Sequence, residues 1–372
     1  MSSSPIHIDD PGDFIAAIPV MLGFVPERSL IVTALKESAC DPPTGSASVF
    51  AALRFDLDQP EGLLGGPAEL LAAAVIRICA SADSTEVMAV VVDDRVPVPV
   101  SGQGGGGRGA NAALIDSLAE HLADSGIGLV AAWTTPAIAP RQLWWSMLGP
   151  DNEGLIPDVK ASAVSMDMIA GGKPVLASRS DLAALVEPDQ ETVERVDRLL
   201  PSARATVLRR YAASRRDGDP DGGTRGSFKR VLGLIAAVDS GRLPTVPQTA
   251  ELAAILADRR VRDGLLATAL SNYARAAESL WLHLTRTLPS PERAEAAVLL
   301  AYSAYIRRHG TLAGIAMQAA LDADPYHHLA IMLEAALELG LEPESMRQLG
   351  RSGAKITRRL GIETDLPPDA SS

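Results

Sequence analysis

Two cysteines, Cys40 and Cys79, are all that 372 residues contain. That is too few for a disulfide framework, and no second pair offers a zinc-ligand spacing, so both are expected as free thiols in a reducing compartment. Aromatic residues make up 4% of the chain, which favours helices packed through small side chains over large aromatic cores. No apolar run approaches the ~20 residues of a membrane span. The N-terminal stretch MSSSPIHIDDPGD has neither the basic start nor the apolar run of a signal peptide, and the expected location is cytoplasmic. A net charge of −12 argues against general affinity for nucleic acid or an anionic membrane surface. Catalytic and cofactor signatures are also missing. There is no G-x-S-x-G elbow, and Gly171-Gly172-Lys173 runs into Pro174 where a phosphate loop needs Ser or Thr. Six histidines include no helical i, i+4 pair with an adjacent glutamate, so neither a metal nor a cofactor is expected.

What is present begins with Phe14–Leu35. Asp10 can cap a helix whose first residue is Pro11, where a missing N–H costs nothing. Phe14, Ile15, Ile18, Met21 and Leu22 then share one face at helical spacing. Pro19 inside that pattern predicts a kink or a break, since a proline in a regular helix costs ~3 kcal/mol. Gly23 supplies a left-handed stop, and Pro26 stiffens the turn that launches a strand over Leu30–Leu35.

Ser46–Asp58 alternates strictly, with Ala47, Val49, Ala51, Leu53, Phe55 and Leu57 on one face, which predicts an antiparallel hairpin with the preceding strand. Helices over Ala68–Ala80 and Asn111–Ser125 each feed an apolar strand, Glu86–Val92 and Ile127–Trp133, as in a parallel pairing. Arg141–Met147 reads as a further strand, Gly149–Asp158 as irregular chain, and Ala161–Ala170 and Asp181–Val186 as short helices, the last capped by Ser178. After Pro188 only helical patterns occur: Gln190–Leu199, Ala203–Ser214, Ser227–Asp239 and several from Thr249 onward. Ala294–Pro325 fits one tetratricopeptide-like hairpin at Leu300, Ala301, Ala313, Ala320 and Pro325, followed by a second helix pair at Tyr326–Leu339 and Pro343–Arg359. The expected fold is thus an α/β domain with a mixed sheet (1–187), a helical connector (188–245) with a flexible loop at 217–226, a helical-hairpin bundle (246–362) and a disordered tail (363–372).

The glycine-rich stretch 101–109 formally contains Gly102-x-Gly104-x-x-Gly107 between a strand and a helix, where a dinucleotide loop belongs. The strand ends several residues earlier and two prolines intervene, so a linker is the expected reading. The strongest polar constellation is the outer face of the sheet: Arg54 and Asp56 two apart on one strand, with Arg141, Trp144 and Ser146 as further members of a ligand or partner groove. Alternation assigns Trp145 to an apolar core set with Leu143 and Met147, and Trp144 to a water-tolerant set with Gln142 and Ser146. The C-terminal arginines and lysine, Arg347, Arg351, Lys355, Arg358 and Arg359, read as a solvated helix face, and His327-His328 as a helix start.

One set of residues carries a family resemblance: Ile18-Pro19-x-x-Leu22-Gly23-Phe24-x-Pro26-x-x-Ser29-Leu30, then Leu53-Arg54-Phe55-Asp56-Leu57, Trp144-Trp145-Ser146 and Ser178-Arg179. In these the chain resembles the bacterial domain of unknown function 4192 family, and the likeness covers most of its length. The resemblance implies a protein of high-GC Gram-positive bacteria with no established activity or cofactor. Many relatives carry a cysteine pair and a proline just after the tryptophans, but this chain reads Leu148-Gly149-Pro150 there, so no redox or metal role carries over.

Without a complete catalytic set, the expected function is a non-catalytic binding or scaffold protein with protein partners at the helical domain. The rival is a small-molecule enzyme with its site around Arg54, Asp56 and Trp144.

Overall fold

The structure, a computed structural model, describes residues 10–37, 47–58, 67–97, 111–158, 175–339, 341 and 343–362. The glycine-rich stretch 101–109, the helix expected over 161–170, Cys40 and the tail 363–372 lie outside the described residues. The chain divides into two compact units, 1–181 and 182–372.

The first unit opens with α1 (Pro11–Leu22), started and stopped by the two residues the sequence nominates. The Asp10 side chain accepts from the Gly12 N–H, and Gly23 takes a left-handed φ of 85°. The helix runs through Pro19 unbroken, so of the expected kink or break the break does not occur. Strands β1 (Ser29–Glu37), β2 (Ala47–Asp56), β3 (Glu86–Val92), β4 (Gly128–Thr135), β5 (Leu143–Leu148) and β6 (Glu153–Leu155) form one six-stranded sheet in the order β2-β1-β3-β4-β5-β6. Of the six described strands only β3 and β4 pair in parallel, joined by the crossover through α3 (Ala112–Ala123), while α2 (Pro67–Ala82) carries the chain from edge strand β2 past β1 into β3. The stretch Gly149–Asp158, expected to be irregular, holds β6, which pairs with β5 through Trp144↔Gly154.

Alternation divides the sheet into two covered faces. Leu30, Val32, Val87, Ala89 and Val91 pack against Val75 and Cys79 of α2 and Ile115, Leu118 and Leu122 of α3. Leu53 and Phe55 of β2 join them, as the sequence pattern requires. The opposite face carries the cross-strand row Arg54, Ile31, Val90, Trp133 and Ser146. It lies against α1, where the Phe14 and Trp133 rings stand 5.8 Å apart. The short helix α4 (Arg179–Ala184) starts as expected, with Ser178 Oγ accepting from the Asp181 N–H at 3.1 Å.

The second unit is all helical: α5 (Gln190–Arg216), α6 (Gly222–Asp239), α7 (Val246–Leu256), α8 (Arg259–Leu265) with a 3₁₀ turn to Leu270, α9 (Ala274–Thr287), α10 (Glu292–Ile306), α11 (Gly310–Ala323), α12 (His328–Glu338) and α13 (Pro343–Arg359). Two expectations are corrected here. The segments Gln190–Leu199 and Ala203–Ser214 are one helix of 27 residues. It continues through Pro201 because that residue is exposed, which leaves the carbonyl freed by the missing N–H to water. The loop expected at 217–226 is a short turn, with Gly222–Gly226 already in α6. Val196 and Leu200 of α5 and Phe228 and Val231 of α6 enter the same core as Trp281 and Tyr302. The tetratricopeptide-like hairpin is α10 and α11, with Leu300, Ala301, Ala313 and Ala320 all buried as the pattern demands.

Candidate functional site

The sequence-expected groove is partly a shared face and partly a correction. Arg54 and Asp56 on β2 and Ser146 on β5 do lie on one face, the one against α1. Between β2 and β5 stand β1, β3 and β4, a separation of ~19 Å at ~4.8 Å per strand, so they form no single groove. Arg141 sits exposed in the turn before β5 with φ at 64°. Trp144, expected to meet water, is 2% exposed, slightly less than Trp145 at 7%. The physical reason is that both sheet faces are covered, so alternation separates the two rings without leaving either wet. Trp144 is wedged between Gly12 of α1 and Gly154 of β6, and its indole N–H has no hydrogen-bond partner among the described residues.

The polar groups that do converge lie at the carboxyl end of β3, the edge at which open α/β sheets bind ligands. Antiparallel pairing brings the start of β1 and the end of β2 to this edge through the row Asp56, Ser29 and Val92. Arg54 Nε donates to the fully buried Ser29 hydroxyl at 2.8 Å and Nη2 to Asp56 at 3.1 Å, and its guanidinium lies 6.0 Å from the Phe24 ring. Ser29 passes its own proton to the Glu27 carbonyl at 2.6 Å. Beside this, Arg28 forks onto Asp94 (2.8 and 3.3 Å), and Arg95 forks onto Asp93 (2.8 and 3.1 Å), which also accepts from Asn111 at 3.0 Å. Both arginines turn their remaining Nη1 to Asp58, at 3.4 Å from Arg28 and 2.8 Å from Arg95. Arg28 holds a left-handed φ of 41°, unusual for a residue other than glycine.

The electrostatics of this edge keep its charges fixed. Burial alone would raise the Asp93 carboxyl, but the bonds from Arg95 and Asn111 outweigh it and leave it below the usual range. Asp56 is likewise raised by burial and lowered further by the Asp58 N–H, Arg54 and, through charge alone, Arg179. The bond from Arg28 lowers Asp94. Each of these three carboxylates is therefore an anion at neutral pH. Among the described residues no group of three or more His, Cys, Asp or Glu is placed to hold a metal ion.

Sequence reasoning found Arg54 and Asp56 and missed Arg28, Asp58, Asp93, Asp94, Arg95 and Asn111. The available signal was Asp93-Asp94-Arg95 directly after the most apolar strand, at the edge where α/β sheets gather ligands.

The helical unit has polar features of its own. An open cleft of about 540 Å³ at the α5–α6 turn is lined by Arg210, Ser214, Asp219, Ser227 and Arg230. Both arginines already pair with Glu251. His327 begins α12 as expected, its Nδ1 accepting from the Ala330 N–H at 3.2 Å. It is buried rather than decorative, facing Glu295 at 3.1 Å and Arg262 at 3.3 Å.

Together the mixed sheet, its charged carboxyl edge and the following helical unit define a two-unit α/β and α protein. The chain belongs to the domain of unknown function family DUF4192, whose model matches residues 11–344. No curated protein and no solved structure matches it. Among the described residues no helix is long and apolar enough to cross a membrane.

Proposed function

We propose that this is a non-catalytic binding protein that holds a small charged molecule at the carboxyl edge of β3. The observation that carries the reading is the convergence of Arg28, Arg54 and Arg95 with Asp56, Asp58, Asp93 and Asp94 at that edge, on side chains positioned by three neighbouring strands. Asp56, Asp93 and Asp94 are all held below the usual carboxylate range, which suits recognition of charge better than proton transfer near neutrality. The test is release of bound small molecules from the natively purified protein, followed by mass spectrometry. A stoichiometric molecule that is lost on Arg95→Gln supports the reading. A molecule released chemically altered after incubation supports the rival enzyme instead.

A second reading, a protein partner at the helical unit, is favoured by α12. Ile331 and Met332 of this helix and Leu339 just after it are 46%, 40% and 55% exposed, with Tyr326 at 89% just before it. Apolar exposure concentrated on one segment favours an interaction surface. Pull-down by the full chain, lost on Ile331→Asp with Met332→Asp, tests it.

A further inference from the structure

Two guanidinium groups at the carboxyl edge share one carboxylate in a way that separates anchoring from binding. Each arginine has a fork of its own. Arg28 is held by Asp94, and Arg95 by Asp93, a residue only 3% exposed and further fixed by Asn111. With Nε and Nη2 spent in those forks, each guanidinium presents a single remaining amino group, and both point at Asp58, one to each oxygen. Asp58 has no fork of its own and takes one Nη1 from each arginine. It lies beyond the last residue of β2, its side chain is 42% exposed, and its contact to Arg28 is the longest of the set at 3.4 Å.

We propose that Asp58 occupies the place of an oxyanion, and that the ligand bound here carries a phosphate or carboxylate that displaces it from Arg28 and Arg95. This rests on the ligand-binding reading above and assigns its chemistry. The two anchored forks make the Nη1 pair a preformed two-donor cradle, which spares the arginine ordering cost that weakens most surface ion pairs. Guanidinium geometry matches such planar or tetrahedral oxyanions. With Asp58 swung out, Arg28, Arg54 and Arg95 are balanced by Asp56, Asp93 and Asp94, so the incoming anion is received by the two freed Nη1 groups rather than by net charge. The left-handed φ of 41° at Arg28 fits the same role, since backbone strain of this kind clusters at ligand-binding sites.

The test is isothermal titration of the full chain with pyrophosphate and, separately, malonate, on wild type, Asp58→Asn, and Asp58→Asn combined with Arg28→Gln or Arg95→Gln. Thermal unfolding of every variant verifies that it folds, and Asp58→Ala serves as a second probe of the same position. Removing the resident charge should tighten binding at least tenfold, and either arginine substitution should return it to the wild-type value or weaker. Pyrophosphate alone tightening assigns a phosphate, malonate alone a carboxylate, and both a general oxyanion site. Equal binding by wild type, Asp58→Asn and Asp58→Ala overturns the displacement, as does tightening that survives the arginine substitutions. If displacement fails while a small molecule still co-purifies in an Arg95-dependent manner, the binding-protein reading stands without it. Loss of both removes the two together.

Discussion

Gly154→Ala places one methyl group where the fold has no room for it. A Cβ built there stands 2.8 Å from Cζ2 of Trp144 and 3.0 Å from both Cε2 and Nε1. Ordinary carbon contacts are ~3.5–4.0 Å, so ring and strand must separate by several tenths of an ångström or more. The ring cannot swing into solvent, because it is 2% exposed and has Gly12 of α1 on another side. Overpacking of this kind costs ~1–3 kcal/mol. The matched control is Gly226→Ala on α6, where a Cβ meets nothing within 4 Å and the helix interior favours alanine by ~0.5–1 kcal/mol. Urea unfolding by tryptophan fluorescence should be run in a Trp281→Phe background, so that Trp133, Trp144 and Trp145 all report on the α/β unit. Gly154→Ala should lower the midpoint of that transition, and Gly226→Ala should leave it unchanged. A Gly154→Ala protein within ~0.5 kcal/mol of its parent would refute the wedged packing of Trp144.

Trp144→Ala and Trp145→Ala should each cost ~3–5 kcal/mol in the same assay, the equality following from their similar burial; a mild Trp144→Ala phenotype would restore that ring as an accessible site residue. Burial would raise the Glu295 carboxyl, but the His327 hydrogen bond and the Arg262 charge outweigh it and depress it below its usual value. A carboxyl depressed in the folded state gives stability that is present above the unfolded pKa and lost as pH falls through the folded one. Glu295→Gln should therefore flatten the acid side of the stability profile of the helical unit and cost ~1.5–3 kcal/mol at pH 7, measured by circular dichroism in urea; an unchanged acid slope would contradict the assignment. Arg54→Ala should leave the Ser29 hydroxyl without its donor and destabilise the α/β unit by ~1–2 kcal/mol, which chemical denaturation can read.

Much of the fold was legible because it rests on local rules. Asp10 and Gly23 bound α1 by cap chemistry, and the alternation through Leu53 and Phe55 fixed the face of β2. The failures came where tertiary context overrode a local rule. Pro19 and Pro201 look like helix breakers, yet both helices run through them. The Gly-rich sequence at 222–226 looks like a linker but opens α6 against α5, with Gly223 close to Tyr211. β6 has three residues, too short for any periodic signal, and exists because β5 offers it an edge. The site was half legible for the same reason. Arg54 and Asp56 sit on a strand whose period places both on its polar face, whereas Arg28, Asp58, Asp93, Asp94 and Arg95 lie at or beyond strand ends. Only the strand order β2-β1-β3 brings them together.

Hydrogen exchange read by mass spectrometry, with and without a low-molecular-weight metabolite fraction, tests the central claim most directly because it locates binding without knowing the ligand. Ligand at the carboxyl edge of β3 should slow exchange in peptides covering residues 24–31, 54–58 and 92–97 and leave those covering 143–155, around Trp144, unchanged. Slowing confined to 143–155, or to the helical unit alone, would contradict the account.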